Sequence, residues 1–403
     1  MRLSAIEKSW FESSKVGSVN VVSVLNVHGI VTRRFLEKAL EEFFLRHPRW
    51  AMTVQDGDKK WTRVTSEELP ISCAQPNVPV LQLAEQAGND AMVNGGYFVR
   101  ILWQPVGNDY HNLIVSYHHM FMDAFCCKVF NQEILSSLEA FQTDNLRQVP
   151  RASVPVKRVL KKGPLPNFLW RSIINQVRPF STWKKNERKA TTGVTPFEVP
   201  KEAVRQLENH GCGAQELLVA STILAAHKIG MDDAKPQFKI SFLVDMRPFI
   251  NDPTEMTCHV SLVDTCHKLA ECGDIISLAK EVRSKLLKGL KRGDHHNVIP
   301  IAKRSLPWAR RLGVDTLSSL GVSFVDDRAR PASTSSYQVL DFWSYSALNG
   351  IASPLGLVIY STESRYHGTL SYRQDRFSRD QAEEIVKHVE DFFRATGQTI
   401  ADV

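Results

Sequence analysis

No stretch of the 403-residue chain approaches the ~20 consecutive apolar residues that cross a bilayer. The first fourteen residues carry Glu7 and Lys8 and no apolar run, so a secretory leader is not expected either. Those two absences make the cytosol the expected compartment. There is no Cys-x-x-Cys pair. The seven cysteines are scattered, with Cys126 and Cys127 adjacent, which excludes zinc-ribbon spacing and a regular disulfide framework. Reduced, mostly buried thiols are expected instead. A helix-turn-helix pattern, a zinc finger and an RNP motif are all missing, so no nucleic-acid partner is expected. What is present is an ordinary globular composition: 43% hydrophobic and 23% charged residues supply enough apolar mass for a large core.

The chain reads as two α/β halves with mixed sheets. Residues 19–27 (VNVVSVLNV) are β-branched and apolar, as a strand requires. Leu36, Ala39, Leu40, Phe43 and Phe44 then recur at helical spacing, with Thr32 placed to cap the helix and Pro48 to stop it. A strand pair over residues 97–103 and 112–117 is joined by Gly107-Asn108-Asp109, and a helix is expected over 124–141. The second half repeats the rhythm. Helices are expected over 201–210, 214–229 and 275–290, and strands over 238–244, near Val322, and over 337–342, 356–361 and 368–372. Ser378 and Gln381 form a capping box ahead of the last helix, which Gly397 should end.

Between the halves the rhythm breaks. Residues 146–195 hold Pro150, Pro155, Pro164, Pro166 and Pro179, and from Arg147 to Lys189 there are twelve Lys or Arg against one acid, Glu187. That segment outweighs the formal net charge of +7, so the rest of the chain is slightly acidic. The expected organisation is therefore a first lobe over 1–145, a basic Pro-containing linker over 146–195 and a second lobe over 196–403. Residues 165–177 (LPNFLWRSIINQV) could form one amphipathic helix inside the linker. Three readings of the linker stay open: a solvated connection, an attraction for an anionic thioester carrier, and peripheral contact with a membrane surface.

The sharpest local feature is Ser116-Tyr117-His118-His119-Met120-Phe121-Met122-Asp123, at the end of an apolar strand and the start of a helix. Side chains alternate along a strand, so His118 and His119 should point opposite ways. Asp123 is placed to cap the helix or meet a cation. A neutral imidazole suits proton abstraction from a hydroxyl or amine, provided its other nitrogen is held; a main-chain carbonyl does this as well as a carboxylate. Two other readings compete: a metal site, for which no further ligand cluster is evident, and a purely structural pair. A second pair, His295-His296, follows Gly293-Asp294 and is read as structural.

His118-His119-x-x-x-Asp123 resembles the HHxxxD motif of the chloramphenicol acetyltransferase-like superfamily. That group includes condensation domains, BAHD acyltransferases, polyketide-associated acyltransferases, wax ester synthases and alcohol acetyltransferases. Other stretches match in order: Leu3-Ser4, residues 36–49 (LEKALEEFFLRHPR), residues 244–248 (VDMRP), and the Gly368–Tyr372 strand followed by the last helix. The resemblance implies two similar lobes with mixed sheets and a tunnel between them. It also implies a stand-alone acyltransferase with His119 as general base, direct attack without an acyl-enzyme, and Asp123 as a structural residue paired with Arg247. Acyl-coenzyme A or an acyl carrier's phosphopantetheine arm would be the donor substrate, with no bound cofactor or metal, a small-molecule hydroxyl as acceptor, and a monomer as the working form. An amide-forming condensation enzyme, or a cyclase or carrier-binding member using the same cleft, are the alternatives. The oxyanion of a tetrahedral intermediate needs a donor, for which Ser344, Ser346 and Asn349 are the candidates. Two departures are evident: Ala124 stands where the superfamily usually has Gly, and the BAHD signature DFGWG is absent, Asp341-Phe342-Trp343 being a partial echo.

Overall fold

The computed structural model describes residues 3, 5–14, 17–54, 60–66, 68–92, 95–143, 191–230, 237–249, 255–269, 273–296, 316, 318–325, 330–348 and 353–398. They fall into two compact units that do not follow the order of the chain. The first takes the described residues up to 143 together with 255–259 and 330–347, and the second takes the rest. The contiguous lobes expected from the sequence are therefore corrected at two points. Both inserted segments are too short to show a change of unit in their own pattern. The linker boundary also moves: a strand already begins at Thr192. Residues 144–190, where the amphipathic helix is expected and where the twelve Lys and Arg of the linker stand, lie outside the described residues.

The first unit opens with helix α1 (Ala5–Ser14), which the sequence reading missed, and strand β1 (Val19–His28). Helix α2 (Arg33–Arg46) starts where expected: the Thr32 hydroxyl accepts from Phe35 N. Short strands β2 (Met52–Val54), β3 (Trp61–Arg63) and β4 (Ile71–Cys73) and helix α3 (Val80–Asn89) follow. Strands β5 (Val99–Gly107) and β6 (Tyr110–His118) form a hairpin. Its two turn residues, Asn108 and Asp109, have φ of 44° and 63°. Two left-handed residues in succession match the right-handed twist of a hairpin, and Asn and Asp tolerate them best. Helix α4 (Ala124–Gln142) then packs on α2.

The sheet of this unit has the order β11-β1-β6-β5-β4, where β11 is Gln338–Leu348 from the second half of the sequence. β1 pairs antiparallel with β6, and β4 pairs parallel with β5, so the sheet is mixed. Under one face lies an aromatic cluster. Phe130 packs edge-on to Phe43 with centroids 4.6 Å apart, and Trp50 lies 5.6 Å from Phe130. The buried indole N–H of Trp50 donates to Met256 O at 3.1 Å.

The second unit is a six-stranded mixed sheet of order β7-β13-β12-β10-β8-β9. Its strands are β7 (Thr192–Pro200), β8 (Gln237–Asp245), β9 (Val260–Lys268), β10 (Leu320–Val325), β12 (Leu355–Ser361) and β13 (Arg365–Arg373). Helices α5 (Lys201–Glu208), α6 (Ala214–Gly230), α7 (Ile275–Arg292) and α8 (Arg379–Gln398) accompany it. α6 is apolar nearly all round because it is flanked by α7 and α8, and Leu217, Leu218, Ile223, Phe238, Ile240, Leu357 and Phe393 share one core. The capping box of α8 is made on both sides: Ser378 N donates to Gln381 Oε1 at 2.9 Å, and Gln381 N to Ser378 Oγ at 3.1 Å. The helix runs one residue past Gly397, so that glycine does not end it. Among the described residues no helix is long and apolar enough to cross a membrane.

Candidate active site around His119

The β1–β6 ladder pairs Asn20 with His118, and His119 N then donates to Val19 O at 2.9 Å. Regular pairing thus carries one residue beyond the strand, and alternation sends the two imidazoles to opposite faces of the sheet. His118 is 1% exposed and lies 5.0 Å from the Phe98 ring. Met120 N donates to its Nδ1 at 3.2 Å, which leaves the proton on Nε2. That Nε2 has no partner among the described residues. His119 sits on the other face, 4% exposed. Trp10 of α1 stacks on it with centroids 3.9 Å apart and planes 10° from parallel, and Cys258 Sγ lies 3.8 Å from its Nδ1.

Burial holds both rings neutral. It pushes His118 down to about 3, helped by the neighbouring His119, and His119 down to about 4. A hydrogen bond between His119 and its own backbone, and the Asp123 charge, work against burial at His119. An unfolded imidazole titrates near 6.5. Between that pH and about 4 the unfolded chain binds protons that the folded chain refuses, so stability falls as pH drops through this window. His267, pushed to about 4 by burial, adds to the trend. The thermal midpoint is expected to fall as pH goes from about 7 to about 4.5, with a shallower slope in His118→Asn; an unchanged slope in that variant would remove His118 from the account.

Asp123 does more than cap. Its Oδ1 accepts from Cys126 N at 3.0 Å, fixing the first turn of α4, and its Oδ2 accepts from His259 N at 2.8 Å. The carboxylate therefore ties the motif to residues 255–259. Each residue of that segment makes a contact here. Met256 O takes the Trp50 indole proton, Thr257 O accepts from Cys126 Sγ at 3.4 Å, and Cys258 reaches His119. Glu255 meets Arg49 Nη1 at 3.2 Å and His259 Nε2 at 3.3 Å. Ala124 is the first residue of α4 and has no positive φ, so the missing glycine imposes no strain at this helix start.

The other expected residues are placed as follows. Tyr345 and Ala347 of β11 face Gly88 on α3, which turns Ser344, buried, and Ser346, half-buried, to the opposite side of the strand. Asn349 lies outside the described residues. Arg247 belongs to the second unit, where it is buried and Nη1 lies 3.3 Å from Asp245 Oδ1. His295 is buried, with its ring tilted 40° against that of His296 at 4.1 Å. Among the described residues no three His, Cys, Asp or Glu side chains come close enough to hold a metal.

Sequence reasoning missed Trp10, Arg49, Glu255, Cys258 and His259 as members of the site. Arg49 was within reach, since it ends the matched segment 36–49; the other four stand in no local pattern. Four of the six described free cysteines, Cys126, Cys127, Cys212 and Cys258, are buried, and burial pushes Cys127 up to about 12.

No protein-family model matches the chain, and no curated protein matches it in sequence. Solved structures do. The trichothecene 15-O-acetyltransferase from Fusarium sporotrichioides superposes with a TM-score of 0.76 at 10% identity, covering 98% of this chain and 95% of that one. The first condensation domain of the CDA synthetase gives 0.68 at 13% identity, with 98% and 95% covered. Polyketide synthase associated protein 5 from Mycobacterium tuberculosis gives 0.67 at 14% identity, with 98% of both chains covered. With mixed sheets in both units and likenesses that run the whole length of the chain, this protein has the chloramphenicol acetyltransferase-like fold of the condensation domains and their acyltransferase neighbours.

Proposed function

We propose that the chain transfers an acyl group from a thioester, acyl-coenzyme A or an acyl carrier's phosphopantetheine arm, to the hydroxyl of a small-molecule acceptor, with His119 as general base. The observation that carries the reading is the state of one ring. His119 is a buried imidazole held neutral above a pH of about 4, with the Cys258 sulfur 3.8 Å from its Nδ1. In the proposed arrangement Nδ1 carries the ring proton toward that sulfur and Nε2 keeps the lone pair. In the proposed step Nε2 takes the acceptor's hydroxyl proton as the oxygen attacks the thioester carbonyl carbon. The tetrahedral intermediate collapses to the ester, and the leaving thiolate takes the proton back from the imidazolium. The Asp123 charge favours that imidazolium while it lasts. Ser344, Ser346 and Asn349 remain the candidates to donate to the oxyanion. The proposal keeps Arg247 as the charged partner that the resemblance assigns to Asp123.

A second reading, amide formation with an amine acceptor, is favoured by the likeness to a condensation domain. The same base serves both, because an attacking amine also sheds a proton. Intact-mass analysis of a panel of acyl-coenzyme A and acyl-carrier donors against hydroxyl and amine acceptors tests both readings. Ester product supports the first and amide product the second. No product from any thioester, with product formed from an acceptor alone, would sink both.

A further inference from the structure

Three observations meet at the His119 ring. The indole of Trp10 lies parallel to one face at 3.9 Å. The Cys258 thiol sits at the Nδ1 edge, 3.8 Å away. The third is what holds these two side chains. Trp10 lies one helical turn beyond Glu7 on α1, and Cys258 lies three residues beyond Glu255. Glu7, 1% exposed, and Glu255 are both ion-paired to the same guanidinium, that of Arg49. Arg49 is itself held over the Trp61 ring at 5.1 Å. The sequence places these partners in three distant segments, and one cation gathers them.

We propose that Trp10 and Cys258 are positioning residues for the His119 imidazole, and that Arg49 clamps both against it by bridging Glu7 and Glu255. A ring fixed on one face and at one nitrogen has neither its tilt nor its tautomer free. In this arrangement the Cys258 sulfur accepts from Nδ1–H, which leaves Nε2 as the basic edge. Stacking also strips water from one face, and burial is the first cause of the lowered basicity of this ring. An indole attracts an imidazolium through its π-face, but that attraction is weaker than the hydration the indole displaces. Removing the indole therefore lets the ring protonate more easily. The inference deepens the acyl-transfer reading and rests on it for its meaning, while its test does not depend on turnover.

The test is a histidine side-chain NMR titration of the full chain, with the His119 signal assigned by its loss in His119→Gln. In the parent protein His119 is expected to titrate near 4 as the Nδ1–H tautomer. Trp10→Ala should raise that midpoint by ~1 unit or more toward the ordinary value, Trp10→Phe should leave it near the parent value, and Arg49→Met should shift it as Trp10→Ala does. Cys258→Ala should lower the Nδ1–H population without moving the midpoint as far. A Trp10→Ala protein that is folded by circular dichroism yet keeps the parent midpoint and tautomer would overturn the proposal. So would a Cys258→Ala protein with an unchanged tautomer. If Trp10→Ala does not fold, Arg49→Met and Cys258→Ala decide the matter alone. Should the ring behave as expected while no donor–acceptor pair reacts, the positioning stands and the acyl-transfer reading fails.

Discussion

Replacing His119 with Gln is expected to lower acyl transfer by roughly 10²–10⁴-fold, the usual worth of a general base. Gln fills a similar volume and keeps a polar end, so Trp10 retains a flat partner and the fold should hold. Thermal unfolding monitored beside turnover separates loss of chemistry from loss of structure. The size of the effect follows from what else could take the proton. His118 is turned to the other face of the sheet with its only lone pair engaged by Met120 N, so it cannot substitute. Cys127 is also no substitute, because burial keeps its thiol protonated until about 12. A His119→Gln protein that is folded and as active as the parent would assign the chemistry to a different residue.

The second large effect is expected at Asp123, and it is an effect on structure first. Loss of the cap on Cys126 N costs ~0.5–2 kcal/mol, and stranding the buried His259 amide costs ~1–3 kcal/mol more. Asp123→Ala should therefore lose roughly 1.5–5 kcal/mol in denaturant titration of the full chain. Asp123→Asn discriminates between the two losses. Its single carbonyl oxygen can keep the cap, but its amide then faces the His259 N–H donor to donor. It should fall between the parent and the alanine variant. Activity should fall in both, because releasing His259 also releases Cys258 beside it. An alanine variant within about 0.5 kcal/mol of the parent, the scatter of a neutral surface change, would show that these two hydrogen bonds do not hold the motif.

Much of the local structure was written in short-range patterns. Thr32 caps α2, Ser378 and Gln381 cap α8, and Asn108-Asp109 turn the hairpin, because each of these acts on a backbone group within three residues of itself. The opposed histidines and the capping role of Asp123 were legible for the same reason. Helix α1 was overlooked because residues 5–14 carry a weak apolar pattern, and its value lies in what Glu7 and Trp10 touch elsewhere. Strand β9 was overlooked even though Leu262, Val263 and Thr265 stand in a sequence of alternating burial; its polar residues masked a period of two. Residues 255–259 are not periodic at all. Three of their contacts are made through the Met256 and Thr257 carbonyls and the His259 amide, which carry no sequence signature.

Strand β11 carries a consequence for synthesis. It is an edge of the first sheet, beside β1, yet it is encoded more than three hundred positions after β1 begins. A nascent chain emerging from the ribosome with only its first half exposed holds a sheet whose flank is unpaired, and a bare flank invites wrong partners. Severing the gene near residue 195 would therefore not yield two self-sufficient pieces, because the leading fragment would lack both that flank and the residues that tether Asp123.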